Sequence, residues 1–323
     1  MLTFKTAKDC FENYLAEVEI PDSPKGLYDP VRYMLQLGGK RLRPALLLIA
    51  NEIEGGKTIH ALPAALAIEW FHNFTLMHDD VMDRADKRRG QLTVHKKYGL
   101  NTAILSGDIM LIQAYKFLLQ TQKFIGRDLM SEFNRVATLV CEGQQLDMDF
   151  ETAQNVSTEA YLDMIGKKTA ALIGGSLKLG AISGGADTEK AALYEDIGFH
   201  LGLAFQLMDD YLDAFGNPEQ FGKTPGGDID MNKKTFLMIN AMERADKNEL
   251  EKLNKFAGLP AGHPEKVEGV LSVFEKLNIP QLTLEEINTH HRQALKSIEA
   301  LNVEDSRKDA LFAFADMLKQ RTS

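Results

Sequence analysis

The sequence predicts an all-α protein, a single large helical bundle over residues 1–323. Three observations predict it. Apolar residues recur at spacings of three and four over many segments, which is the pattern of helices with one buried face. No segment shows the period-two alternation of a half-buried strand. The segments are joined by short turns, and 323 residues can bury a large core.

The elements follow in order. Phe4, Phe11, Leu15 and Val18 lie at helical spacing in residues 1–20, and Pro21-Asp22-Ser23-Pro24-Lys25-Gly26 breaks that helix. A second helix over 28–37 ends at Gly38-Gly39. Lys40-Arg41-Leu42-Arg43-Pro44 then opens a third, Pro44 being acceptable in a first turn. Lys40, Arg41 and Arg43 therefore cluster at a helix start, where backbone N–H groups attract anions. A basic triplet alone reads as a solvated turn. The double glycine beside it, which lets a ligand approach the backbone, favours an anion site. The run 61–77 is interrupted by Glu69, His72 and Asn73, so it is too short and too polar for a membrane span and reads as a buried helix. Further helices are expected over 101–119, 128–150, 161–179 and 189–213, the last with Thr188 as N-cap. Gly174-Gly175-Ser176 suits close helix packing.

Residues 215–232 are glycine-rich. Gly222-Lys223-Thr224 is not a P-loop, because the glycine required five residues earlier is Asn217 and no strand precedes it. A glycine-rich lid that lays one lysine over a phosphate is the reading kept. Lys233-Lys234-Thr235 opens another helix, and charged helices over 249–256, 264–277, 283–301 and 306–319 read as packing or dimerisation elements.

The chemistry lies in a repeated pattern. Asp79-Asp80-Val81-Met82-Asp83 closes one apolar helix, and Asp209-Asp210-Tyr211-Leu212-Asp213 closes another. Residues four apart share a helix face, so Asp79 projects with Asp83 and Asp209 with Asp213. Three carboxylates within a turn and a half form an oxygen-only site suited to Mg²⁺, which fills its other positions with water and phosphate oxygens. One such motif is commonly a solvated helix end. Two of them, each closing a buried helix, point to a diphosphate held between bridging metals. Arg88-Arg89 just past the first motif supplies planar forks for phosphate. Lone helical histidines such as His78 and His200 read as structural.

Composition narrows the partners. A net charge of −9 argues against nucleic acid, so an anionic substrate must meet local cations or metals. Two cysteines without metal-site spacing, Cys10 and Cys141, suit a reducing cytoplasm. The charged, amphipathic N-terminus does not read as a signal peptide.

Over about residues 28–240 the sequence resembles the trans-isoprenyl diphosphate synthase (polyprenyl synthase) family. The motifs that carry the resemblance are Gly38-Gly39-Lys40-Arg41-Leu42-Arg43-Pro44, Glu69-x-x-His72, His78-Asp79-Asp80-x-x-Asp83 and Arg88-Arg89-Gly90. Gly143-Gln144-x-Leu146-Asp147, Lys168-Thr169, Phe205-Gln206-x-x-Asp209-Asp210-x-x-Asp213 and Gly222-Lys223 with Gly227-Asp228 complete the series in family order. The resemblance implies an isoprenoid-synthase bundle with a central cavity and two Asp-rich motifs facing each other. It implies head-to-tail condensation of isopentenyl diphosphate with an allylic diphosphate, three Mg²⁺ ions and a homodimer. Asp79, Asp83 and Asp209 are then the direct metal ligands, with Asp80, Asp210 and Asp213 acting through water. Arg88, Lys168 and Lys223 contact the allylic diphosphate, and Thr169 and Gln206 line its site. Lys40, Arg43, His72 and Arg89 hold isopentenyl diphosphate.

The resemblance also places a product-length floor before the first aspartate. Phe74 is five residues before Asp79, the small Thr75 four before, and Phe71 lies a turn deeper. With no two-residue insertion in the first motif, this arrangement resembles short-chain geranylgeranyl synthases. A twenty-carbon product leads, with farnesyl or longer products as alternatives. From other classes, a class I terpene cyclase and a non-catalytic subunit of a heteromeric synthase remain to be distinguished.

Overall fold

Helix periodicity in the sequence is realised almost throughout. The computed structural model describes residues 1–216 and 225–319, so Gly222, Lys223 and Thr224 lie outside the described residues. The helices are α1 (Phe4–Ala16), α2 (Lys25–Gln36), α3 (Leu42–Ile53), α4 (Thr58–Met82), α5 (Val94–Tyr98), α6 (Leu100–Ile125), α7 (Met130–Thr152) and α8 (Thr158–Ile165). After a π-helical turn at Gly166–Ala170 come α9 (Ala171–Gly184), α10 (Thr188–Phe215), α11 (Gly227–Asp230), α12 (Phe236–Arg244), α13 (Lys247–Ala257), α14 (Pro264–Lys276), α15 (Ile279–Ala300) and α16 (Asp305–Lys319).

Four expectations need correction. A short antiparallel hairpin is present, β1 (Lys87–Arg88) with β2 (Gln91–Leu92). Two-residue strands are too short to show alternation, which is why the period-two test passed over them. The helix expected over 161–179 is interrupted by the π turn. Pro24 stands at the N-cap of α2, so Lys25 and Gly26 lie inside that helix. Asp187, not Thr188, caps α10: its Oδ1 accepts from the Lys190 amide at 2.8 Å.

The chain divides into two compact units. Unit 1 holds Met1–Arg135, Gly175–Glu195 and Leu301–Leu311. Its central element is α4, 25 residues and about 37 Å long. Ala61 to Phe71 are buried without a break, as expected for a helix that is apolar all round. Helix α6 packs along it through Ala103, Ser106, Gly107, Met110, Ala114 and Leu118. Among the described residues α6 is the one helix long and apolar enough to cross a membrane, a different stretch from the run at 61–77. Its outer side exposes Leu105, Ile112 and Leu119.

Unit 2 holds Val136–Gly174, Asp196–Ala300 and Phe312–Ser323. One core cluster joins Tyr161, Met164 and Ile165 to Leu203, Leu207, Phe236 and Ile287. A second joins Ala214 and Leu237 to Leu253, Val270 and Phe274. The small-residue stretch packs as expected, because a Cβ on Gly198 would fall 2.6 Å from the Gly174 Cα. Backbone meets backbone there, which fixes where α10 runs.

Candidate active site

The first motif lies in unit 1. Asp79 and Asp80 occupy the last turn of α4, and Asp83 is its C-cap residue. A helix C-terminus carries partial negative charge, so carboxylates there are destabilised unless cations reach them. One cation is built in. The Arg88 fork grips the buried Asp80 with Nε to Oδ2 at 2.8 Å and Nη2 to Oδ1 at 2.8 Å. The β1–β2 hairpin delivers it. Arg89 and Gly90 at its tip have φ of 51° and 78°, as a type I′ turn requires. Asp80 is thereby occupied, while Asp79 is half-buried and Asp83 exposed.

The same hairpin tip reaches the double glycine. Arg89 Nη1 donates to the Gly38 carbonyl. A Cβ on Gly39 would fall 3.0 Å from Arg89 Nη2, and Gly39 has φ 153°, so space and backbone both call for glycine. Arg43 Nη1 donates to His72 Nε2 at 3.1 Å, which puts the neutral imidazole's proton on Nδ1. Burial, then the charges of Arg43, Arg89, Arg88 and Arg41, hold the His72 pKa well below its ordinary value. Burial also brings Arg43 down to about 10; Glu69 opposes that shift and the Arg89 charge adds to it. Buried Arg43 Nε has no hydrogen-bond partner. Lys40 is exposed beside this group. Crowded like charges with an unsatisfied donor favour a counter-anion at this group.

Arg41 does not belong to it. Its side chain is buried, with Nε 2.9 Å from Glu12, Nη1 2.6 Å from Glu69 and Nη2 3.1 Å from the Leu35 carbonyl. The expected three-cation cluster is corrected accordingly, because Arg41 is neutralised inside the fold. A left-handed backbone (φ 53°) at the α3 N-cap turns Arg41 inward.

The second motif lies in unit 2, on the last turns of α10. Buried Asp210 accepts from the Tyr161 hydroxyl, and from Gln206 Nε2 at 3.1 Å. Thr169 Oγ1 donates to Gln206 Oε1 at 3.1 Å, so the chain Thr169–Gln206–Asp210–Tyr161 is continuous. Burial pushes the Asp210 carboxyl up to about 7, with Asp228 and Asp209 adding and the two hydrogen bonds opposing. Burial likewise raises Tyr161 well above its ordinary pKa, so it remains a donor. Asp213 Oδ2 accepts from the Asp228 amide at 2.8 Å, at the start of α11. The π turn presents Lys168 and Thr169, a placement for which such turns are used. Lys168 Nζ pairs with Asp147 of α7. A Cβ on Gly143 would fall 2.6 Å from Lys168 Cα, which explains the glycine in Gly143-Gln144-x-Leu146-Asp147. Lys223 lies outside the described residues.

Below Asp79, α4 bears an aromatic ladder. Phe74 lies 4.7 Å from the His78 ring and 5.7 Å from Phe71. Phe71 meets Phe133 of α7 at 5.3 Å, and Phe133 meets Tyr115 of α6 at 5.2 Å. Thr75 is half-buried, its hydroxyl donating to the His72 carbonyl at 2.8 Å. Phe71, Phe74 and Thr75 were expected here; Phe133, Tyr115 and Tyr161 were not. Those three are single apolar or phenolic positions with no motif around them, and only the fold brings them in.

The carboxylates fit a hard divalent cation. Asp80 is locked by Arg88 and Asp210 by Tyr161 and Gln206, whereas Asp83 is exposed at the end of α4. Among the described residues no three His, Cys, Asp or Glu side chains converge on one point. A caged structural metal does not fit that set. Mg²⁺ held by one or two carboxylates, water and phosphate oxygens does.

Paired carboxylates closing buried helices, flanked by an arginine fork and a lysine, define an all-α enzyme that handles diphosphates. The polyprenyl synthetase family matches residues 24–274, and the chain belongs to that family of prenyltransferases. It is 36% identical over 300 residues to a short chain isoprenyl diphosphate synthase of Methanothermobacter thermautotrophicus, covering 93% of this chain and 91% of that one. It is 39% identical over 239 residues to a geranylfarnesyl diphosphate synthase of Natronomonas pharaonis, covering 68% and 70%. A crystal structure of a geranylgeranyl pyrophosphate synthase superposes with a TM-score of 0.93 at 45% identity, covering 100% of both chains.

Proposed function

We propose that the chain condenses isopentenyl diphosphate head to tail with allylic diphosphates and releases a linear twenty-carbon all-trans prenyl diphosphate. One observation carries the reading. Each motif has its middle aspartate locked by protein, and a separate pocket of Arg43, Arg89 and neutral His72 stands ready for a second diphosphate. A single-substrate cyclase has no use for that second pocket.

Mg²⁺, three ions by analogy with the family, would neutralise charge on the departing diphosphate when bound. Asp79, Asp83 and Asp209 would be its direct ligands, with Asp80, Asp210 and Asp213 acting through water. Arg88, Lys168 and Lys223 contact the allylic diphosphate, and Thr169 and Gln206 line its site. Lys40, Arg43, His72 and Arg89 hold isopentenyl diphosphate. The allylic C–O bond breaks and its electron pair leaves with the diphosphate, stabilised by these preorganised charges. The isopentenyl double bond attacks the allylic cation, and a proton then passes to the released diphosphate. The apolar wall of α4 keeps water from the cation. We regard 1–323 as one synthase domain. We place the enzyme in the cytoplasm as a homodimer, the exposed Leu105, Ile112 and Leu119 of α6 being an apolar stripe of heptad spacing suited to a second copy.

The test is an assay of the purified protein with Mg²⁺, isopentenyl diphosphate and dimethylallyl, geranyl or farnesyl diphosphate, products being sized by chromatography. A linear twenty-carbon diphosphate is expected. Phe74→Ala is expected to extend it to twenty-five carbons, the product length named for the Natronomonas relative. A farnesyl or much longer wild-type product keeps the enzyme class and overturns the floor. A cyclic hydrocarbon, or no turnover without a partner subunit, overturns the function.

A further inference from the structure

We infer that His78 is a positioning residue for product length: seated in a notch that Gly107 leaves in α6, it braces the Phe74 ring. This rests on the reading of Phe74 as the floor of the product pocket.

His78 meets α6 on one side and Phe74 on the other. Its Nε2 donates to the Ile104 carbonyl of α6 at 3.0 Å, which fixes the ring across the α4–α6 seam. That Nε2 lies 4.0 Å from Asp108 Oδ1, on the same turn of α6. On its other side the ring meets Phe74, one turn back on α4, at 4.7 Å and 66°, an edge-to-face pair. The notch is specific to glycine. A Cβ on Gly107 would fall 2.5 Å from His78 Cδ2 and closer still to Nε2, so no larger residue at 107 leaves the ring where it is. Gly107 has no left-handed backbone to explain it; it lies inside α6, where glycine is a poorer helix former than alanine. The space for His78 accounts for it.

The consequence is mechanical. Phe74 is half-buried, and the His78 ring packs against it. An aromatic pair of this kind is worth roughly a factor of two to ten in an equilibrium. Removing the ring lets Phe74 swing toward α6 and the floor give way. Pushing the ring out of its notch drives it against Phe74 and raises the floor.

The experiment sizes the products of five variants under one set of assay conditions, with Phe74→Ala as the control for the floor. His78→Ala is expected to raise the proportion of product longer than twenty carbons, by roughly two- to tenfold. Gly107→Ala is expected to shift product toward fifteen carbons. In the double variant His78→Ala/Gly107→Ala the second substitution is expected to have no further effect, because the ring it strikes has gone. His78→Gln keeps an N–H for the Ile104 carbonyl but offers Phe74 no ring, and is expected to behave as His78→Ala. If Phe74→Ala lengthens the product while the His78 and Gly107 variants keep the wild-type distribution, the positioning role is wrong and the floor stands. A wild-type distribution from His78→Gln alone shows that the hydrogen bond matters and the ring does not, which also overturns it. An unchanged distribution from Phe74→Ala removes the floor and the inference with it.

Discussion

Arg41 and Arg43 stand two residues apart and face different environments. Arg43 keeps a donor unsatisfied beside neutral His72, whereas Arg41 is paired on every nitrogen. Removing one partner of a buried ion pair strands the other charge, at a cost of about 3–5 kcal/mol. Arg41→Met, which keeps the stem but abandons Glu69, is therefore expected to lose about that much stability in urea denaturation. A loss below about 1 kcal/mol, the scale of an exposed pair, contradicts the assignment. In the sequence both arginines belong to one basic run and to one motif. Nothing local distinguishes them, because the distinction comes from Glu69 and Glu12 across the fold.

At the scale of elements, the helices and their ends were largely legible, because periodicity and punctuation are carried within a turn or two. The interruption at Gly166–Ala170 was not. A π turn needs only one extra residue in a helix, and the contact found at it, Gly143 of α7 close against Lys168, comes from another helix. The hairpin that aims Arg88 and Arg89 is illegible for a different reason, its two-residue strands being too short to show alternation. Element pairing in unit 2 also gives a pH prediction. His200 of α10 and His290 of α15 meet through Nδ1 at 3.0 Å, one donating to the other. Asp196 lies 3.5 Å from His200 and Glu286 3.4 Å from His290. Burial depresses both imidazoles, His290 to about 4, the Asp196 charge opposing the shift at His200 and the His200 charge adding to it at His290. The unfolded chain therefore takes up protons first as pH falls, and stability present above about pH 6.5 is lost progressively toward pH 4. Thermal denaturation of His290→Gln is expected to show a shallower fall of Tm between pH 7 and pH 5 than the wild type. Parallel curves would show that this pair does not govern the acid limb.

For the whole molecule, the exposed stripe on α6 is the main feature that one chain leaves unexplained. Leu105 is 58% exposed and Ile112 59%, on a helix whose opposite face is packed against α4. A charge at the centre of such a stripe is buried unpaired if two copies meet there. Ile112→Glu is expected to convert a dimer to monomer in analytical ultracentrifugation, with a wild-type far-ultraviolet spectrum. A wild-type monomer overturns the homodimer, and a variant dimer as tight as the wild type places the interface elsewhere.

The sequence by itself determined the all-α class, the order of the helices, both aspartate motifs and the basic residues around them. These are written in spacings of three and four and in motifs a few residues long. The tertiary structure decided which of those residues remain available. It locked Asp80 and Asp210, withdrew Arg41 into an ion pair and seated His78 against Gly107. It also joined Arg89 to Gly38 across 51 positions and Tyr161 to Asp210 across 49. Burial and charge pairing act through space, and contacts at such separations leave no period in the chain to read.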